Sequence, residues 1–183
     1  MKLGHIPNVL TVFRILLVPP VVVLMLDHEF RPALVLFALA GFSDALDGFL
    51  ARRFHWSSRI GALMDPLADK LLMVSSFLTL GWLGLIPVWL VGLVILRDLV
   101  IITGAIVYNA RIEQVEAEPS IASKLNTLGQ ILLVLSILFD QAVQALPAWW
   151  IGGLIATVLV TIVYSGTGYV WTWGRRAWKR SGH

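Results

Sequence analysis

Six stretches of roughly 20 mostly apolar residues follow one another along this chain of 183 residues, and they leave it few ways to fold. They cover residues 9–26, 33–51, 60–80, 88–108, 121–139 and 149–171. A segment of that length spans a bilayer's hydrocarbon core, where backbone groups find no water and must bond within their own segment. The expected fold is therefore all-α: an integral membrane bundle of about six transmembrane helices. Charged residues make up only 14% of the chain, against about 25% in a typical soluble domain. The deficit extends along the whole length, which argues against a soluble domain carrying a single anchor.

The punctuation between the runs agrees. Residues 27–32 and 84–87 read as short turns, 52–59 as a basic polar loop and 111–119 as an acidic polar loop. The first run is too long for a signal peptide and lacks a small-residue cleavage site, so it is expected to remain as a helix. No internal repeat is visible, and the chain reads as one domain over 1–183 with a basic tail at 174–183. Lys2, Arg52, Arg53, Arg59, Arg111, Arg175, Arg176, Lys179 and Arg180 fall on one side of the six runs, and Arg31 on the other. The bias of lysine and arginine towards cytoplasmic loops places both termini in the cytoplasm of a bacterial-type inner membrane. Trp149, Trp150, Trp171, Trp173 and Trp178 sit at segment ends as interfacial anchors. The basic balance (pI about 9.6) then reflects topology and contact with anionic lipid, not nucleic acid. The absence of cysteine excludes disulfides, thiolate metal ligands and a cysteine nucleophile.

Against this background four aspartates stand out. Asp44 and Asp47 close the second run, and Asp65 and Asp69 open the third. Each charge deep in a membrane helix costs about 2.5–3.5 kcal/mol on insertion scales. Spacings of three and four put each pair on one helix face. Two adjacent antiparallel helices would gather four carboxylates near the cytoplasmic surface, where unpaired they would repel one another and protonate. Hard divalent cations resolve this, which points to Mg²⁺, Mn²⁺ or Ca²⁺ and away from soft metals. Four carboxylates suit two ions about 3.5–4 Å apart, an arrangement that clamps a phosphate or pyrophosphate. Gly48, Ala51 and Gly61 leave room for a ligand, and Arg52 offers a bidentate phosphate donor. The bland alternative is a set of buried salt bridges in which Arg52, Arg59, Lys70 and Arg97 neutralise the acids.

The stretch Asp44-x-x-Asp47-Gly48-x-x-Ala51-Arg52, eight residues, Gly61-x-x-x-Asp65-x-x-x-Asp69 resembles the full signature of the CDP-alcohol phosphatidyltransferase family. The resemblance extends from Pro7-Asn8-x-x-Thr11-x-x-Arg14 to about Gln130. It implies a CDP-linked lipid donor, CDP-diacylglycerol, and a polar cavity open to the cytoplasm. It implies that Asp44, Asp47 and Asp65 hold Mg²⁺ or Mn²⁺, as two ions, with Asp69 completing the site and acting as general base towards the acceptor hydroxyl. Asp44, Gly48, Ala51, Arg52 and Gly61 would line the nucleotide pocket, and CMP would leave. Members of the family form homodimers, so a homodimer is implied too.

Two branches of the family fit the opening and the Arg97-Asp98 pair: one transfers to glycerol-3-phosphate and one to phosphatidylglycerol. The first often carries Lys-x-Lys-Thr where this chain has Ser123-Lys124-Leu125-Asn126-Thr127. A free phosphate monoester carries nearly two charges, so losing one cation weakens its binding. The Asn126 form looks more like the phosphatidylglycerol branch, in which cardiolipin is made. Asn8, Arg14, Arg97, Lys124 and Asn126 are the candidate acceptor and phosphate contacts. Each has a plainer reading: Asn8 as a helix N-cap, Arg14 as a snorkelling side chain, Arg97-Asp98 as a self-contained ion pair. Two functions of other classes compete. A cation transporter would carry its carboxylates near the midplane, often in repeated halves. A structural scaffold would not need the complete constellation.

Overall fold

The structure is a computed structural model that describes the backbone of residues 6–54, 61–111 and 121–180, and the side chains of 11–44, 46, 67–103 and 123–165. The described residues form six helices and no strand: α1 (Ile6–Leu26), α2 (Phe30–Phe54), α3 (Gly61–Trp82), α4 (Val88–Arg111), α5 (Ile121–Ala142) and α6 (Ala148–Arg180). Each apolar run becomes one helix. The polar loop expected over 52–59 is shorter, because α2 continues to Phe54; 55–60 and 112–120 lie outside the described residues. The basic tail from 174 to 180 continues α6, which reaches 33 residues. No proline interrupts the tail, and its one glycine, Gly174, is only a weak breaker. Asn8 lies inside α1, not before it, so it does not cap that helix.

Among the described residues two segments, Ser123–Ala142 and Ala148–Ser165, are long and apolar enough to cross a membrane. Leu16, Phe42, Val160 and Tyr164 are among many large side chains left exposed. Such surface is a liability in water and a match for lipid.

The chain divides into two compact units: Met1–Ile86 with Val134–Pro147, and Pro87–Leu133 with Ala148–His183. In the first, α1 packs against both α2 and α3. Its buried stripe runs Thr11, Arg14, Leu17, Val21 and Met25. The facing stripes are Ala33, Phe37 and Ala40 on α2, and Ala68, Leu72, Ser76 and Leu80 on α3. Spacings of three and four keep each set on one helix face, and the alanines let α2 approach closely. Arg31 Nε donates to the Ala142 carbonyl at 2.8 Å, which ties the start of α2 to the end of α5.

Helices α1 and α3 end alike. His28 N–H donates to Met25 O at 3.1 Å and Glu29 N–H to Leu24 O at 2.8 Å; Gly84 N–H donates to Gly81 O at 3.2 Å and Leu85 N–H to Leu80 O at 2.9 Å. These are paired Schellman closures, which require a left-handed residue after the helix. Gly84 takes it at φ 72° and His28 at φ 60°. A Cβ at Gly84 would meet no atom within 4 Å, so only the backbone conformation opposes one. Gly84→Ala is expected to lower stability by about 1 kcal/mol. His28→Gly is expected to raise it by a few tenths of a kcal/mol, because greater freedom in the unfolded chain offsets part of the relief. Unfolding midpoints in mild detergent test both; a stabilised Gly84→Ala protein would contradict the closure.

Candidate active site

The three stripes of the first unit turn polar at corresponding ends. Arg14 continues the face of Leu17, Val21 and Met25 towards the start of α1. Asp44 continues Ala33, Phe37 and Ala40 towards the end of α2. Asp69 precedes Leu72 and Ser76 near the start of α3. With α1 packed against both α2 and α3, these residues meet. Arg14 Nη1 pairs with Asp44 Oδ1 at 2.8 Å and donates to Asp69 Oδ1. The arginine is fully buried, whereas the two aspartate side chains are 46% and 44% exposed. Arg14 Nε and Nη2 have no hydrogen-bond partner among the described residues. Arg14 therefore does not snorkel; its head group points into the unit.

Asp47 lies three residues after Asp44 on α2, and Asp65 four before Asp69 on α3, at register positions on the same helix faces. Their side chains lie outside the described residues, as do those of Asn8, Ala51 and Arg52. Gly48 and Gly61 contribute only backbone, as members of α2 and α3. Among the described residues no three acidic, histidine or cysteine side chains gather as a metal-binding group. What is described fits a hard cation in kind: carboxylate oxygens from two helices converge within reach of one nitrogen, and nearly half of each side chain is open.

The second unit holds a separate polar seam. Arg97 Nη1 pairs with Asp98 at 2.9 Å, and its Nη2 donates to the Ser123 hydroxyl at 2.7 Å and the Ser165 hydroxyl at 3.0 Å. Asn126 is fully buried and its Oδ1 accepts from the Thr161 hydroxyl at 3.0 Å. A Cβ at Gly129 would touch Val158 at 3.4 Å, an ordinary contact between α5 and α6. Lys124 stands exposed on α5, beside a shallow groove of about 350 Å³ lined by Ser123, Thr127, Leu128 and Ile131. Ser165, Thr161 and the buried Gln130 were not among the residues singled out from sequence. Their signal was their polarity at helical spacing within apolar runs: Asn126 with Gln130, and Thr161 with Ser165, each four apart.

A family model described as CDP-alcohol phosphatidyltransferase matches residues 4–165. A cardiolipin synthase (CMP-forming) from Rattus norvegicus is 38% identical over 145 residues, covering 70% of this chain and 48% of the rat protein. A chloroplastic CDP-diacylglycerol–glycerol-3-phosphate 3-phosphatidyltransferase from Oryza sativa subsp. japonica is 32% identical over 153 residues, covering 74% of this chain and 46% of the rice protein. The Aquifex aeolicus enzyme named for that same glycerol-3-phosphate transfer is 35% identical over 139 residues, covering 73% of this chain and 75% of its own length. The chain spans about half the length of several curated relatives it matches. This chain belongs to the CDP-alcohol phosphatidyltransferase family, whose members are membrane-associated and generally use divalent metal ions.

Because one nitrogen serves two carboxylates, their contributions to stability should be coupled. Asp44→Asn and Asp69→Asn are each expected to cost about 1 kcal/mol, since the partner acid remains and both are half-exposed. The double substitution strands a buried guanidinium and is expected to cost at least about 1 kcal/mol beyond the sum. Thermal unfolding of the four proteins in detergent measures the coupling; strict additivity would remove Arg14 from its place between the acids.

Proposed function

We propose that this chain transfers a phosphatidyl group from CDP-diacylglycerol to a hydroxyl of phosphatidylglycerol, giving cardiolipin and CMP. The convergence of Asp44 and Asp69 from α2 and α3, at signature positions of the family, is the observation that carries this reading. Asp44, Asp47, Asp65 and Asp69 would hold two divalent ions, Mg²⁺ or Mn²⁺, which supply positive charge to the pyrophosphate. Gly48, Ala51, Arg52 and Gly61 would take the nucleotide. Asp69 accepts the proton of the acceptor hydroxyl. That oxygen bonds to the phosphorus bearing diacylglycerol, and the bond from this phosphorus to the oxygen of CMP breaks. A positioned carboxylate is a suitable base for such a step.

The choice of acceptor is supported by position 126. The side chain there is fully buried and bonded to a neutral hydroxyl, and asparagine puts no second cation beside Lys124. That favours a phosphodiester with one charge over a monoester with nearly two. Six membrane spans, a site on the cytoplasmic side and a homodimer complete the proposal.

The test is a paired assay with CDP-diacylglycerol and Mg²⁺ or Mn²⁺, one arm with phosphatidylglycerol and one with glycerol-3-phosphate, products read by mass spectrometry. Cardiolipin in the first arm alone is expected. Phosphatidylglycerophosphate in the second arm would assign the other acceptor, and no CMP in either would remove the proposed reaction. Asp69→Asn should lower turnover about 10²–10⁴-fold, the range for losing a general base, while CMP still binds. Asp47→Asn should lower activity and weaken its metal dependence together.

A further inference from the structure

We infer that Arg14 is a positioning residue for Asp44 and Asp69 whose fixed charge also holds down the affinity of a divalent cation for them. This rests on the reading of those aspartates as metal ligands. One nitrogen of Arg14 reaches Oδ1 of both acids, one on α2 and one on α3. The guanidinium is therefore placed as a bridge, not as a fork closed on one carboxylate, and its Nε and Nη2 find no partner among the described residues. It is wholly buried, and an arginine does not shed its proton, so the charge is permanent.

Two effects on a cation oppose each other. The bridge sets the spacing of the two carboxylates, which assists any ion that needs both. The same guanidinium occupies oxygens that an ion between α2 and α3 would use, and it repels that ion. Ordering two half-exposed acidic side chains recovers only their rotamer freedom. Repulsion between a buried unit charge and a double charge a few ångströms away is the larger effect, because a partly buried pair is poorly screened. Removing the charge should therefore tighten metal binding even as it spoils the geometry for turnover. A purely structural ion pair makes no such demand: losing it would loosen the aspartates and weaken binding.

The experiment titrates the purified full chain in detergent with Mn²⁺, free ion being read by electron paramagnetic resonance. Wild type, Arg14→Lys, Arg14→Gln and Asp44→Asn are compared, with folding checked by circular dichroism. The expected dissociation constants fall from wild type to Arg14→Lys to Arg14→Gln, the last tenfold or more tighter, and Asp44→Asn weakens binding. Arg14→Lys keeps a charge but, as a compact ammonium, bridges less well, so a severalfold gain is expected. It decides the matter alone if Arg14→Gln does not fold. In parallel, the metal concentration for half-maximal activity should fall while kcat falls. Unchanged or weaker Mn²⁺ binding in both Arg14 variants, with wild type binding normally, overturns the role of Arg14 and leaves the metal site intact. Absence of Mn²⁺ binding in wild type overturns the metal reading and this inference with it.

Discussion

A single guanidinium nitrogen shared between two carboxylates is the contact on which the first unit depends. Without it, the fully buried guanidinium of α1 would stand without its counter-charges, and a buried charge that loses its partner costs about 3–5 kcal/mol. With it, the three charges answer one another, and the stripes that carry them can pack along their apolar remainders. Arg14 belongs to the same face of α1 as Leu17, Val21 and Met25, so the packing that buries those residues also delivers the arginine. Asp44 and Asp69 inherit their places from Phe37 and Leu72 in the same way. The apolar half of each stripe fixes where the polar half lands, and the candidate active site is a by-product of the core.

The turns make that delivery possible. The Schellman closure after α1 reverses the chain in very few residues, and Asp69 near the start of α3 meets the same Arg14 as Asp44 near the end of α2, so α2 runs opposite to both α1 and α3. Such alternation brings the start of α1, the end of α2 and the start of α3 to corresponding ends. The second unit solves its own polar burial by another route. Arg97 takes its counter-charge from the next residue and turns its Nη2 to hydroxyls of α5 and α6. The first unit thus uses one cation to hold two acids from other helices, whereas the second closes its ion pair within α4 and links helices through neutral groups.

Much of this was legible in the chain. Apolar runs of about 20 residues mark six helices because a helix is the fold that satisfies the backbone of such a run within its own segment. Aspartates three and four apart announce shared faces by helical geometry alone. The partner of those acids was not legible in the same way. Periodicity assigns Arg14 to a face of α1 but says nothing of what stands opposite, so Arg52, Arg59 and Lys70, nearer in sequence, were equally natural counter-ions. The left-handed His28 was hidden because histidine carries no turn signature as strong as that of Gly84. The reach of α6 was hidden because a basic stretch reads as a tail, although nothing in it opposes a helix. The side chains of Asp47, Asp65 and Arg52 lie outside the described residues, so the full metal and nucleotide set remains a reading of the family signature.

The charge balance of the seam bears on the proposed choice of acceptor. Arg97 and Asp98 cancel, and the groups bonded around them, the buried Asn126 and Ser165 and the half-buried Ser123 and Thr161, are neutral. Lys124 is the cation left on this part of α5, and it stands exposed, where water screens it. A phosphate monoester brings nearly two charges and needs cations that are held and desolvated. A phosphodiester brings one, and neutral donors with a single exposed lysine suffice for it. A lysine at position 126 would change that balance at a fully buried position, because its ammonium would meet a threonine hydroxyl in place of an acid. Asparagine there keeps the seam neutral and accepts from the Thr161 hydroxyl, so it holds the buried helix contact without adding charge, which supports the proposed lipid acceptor.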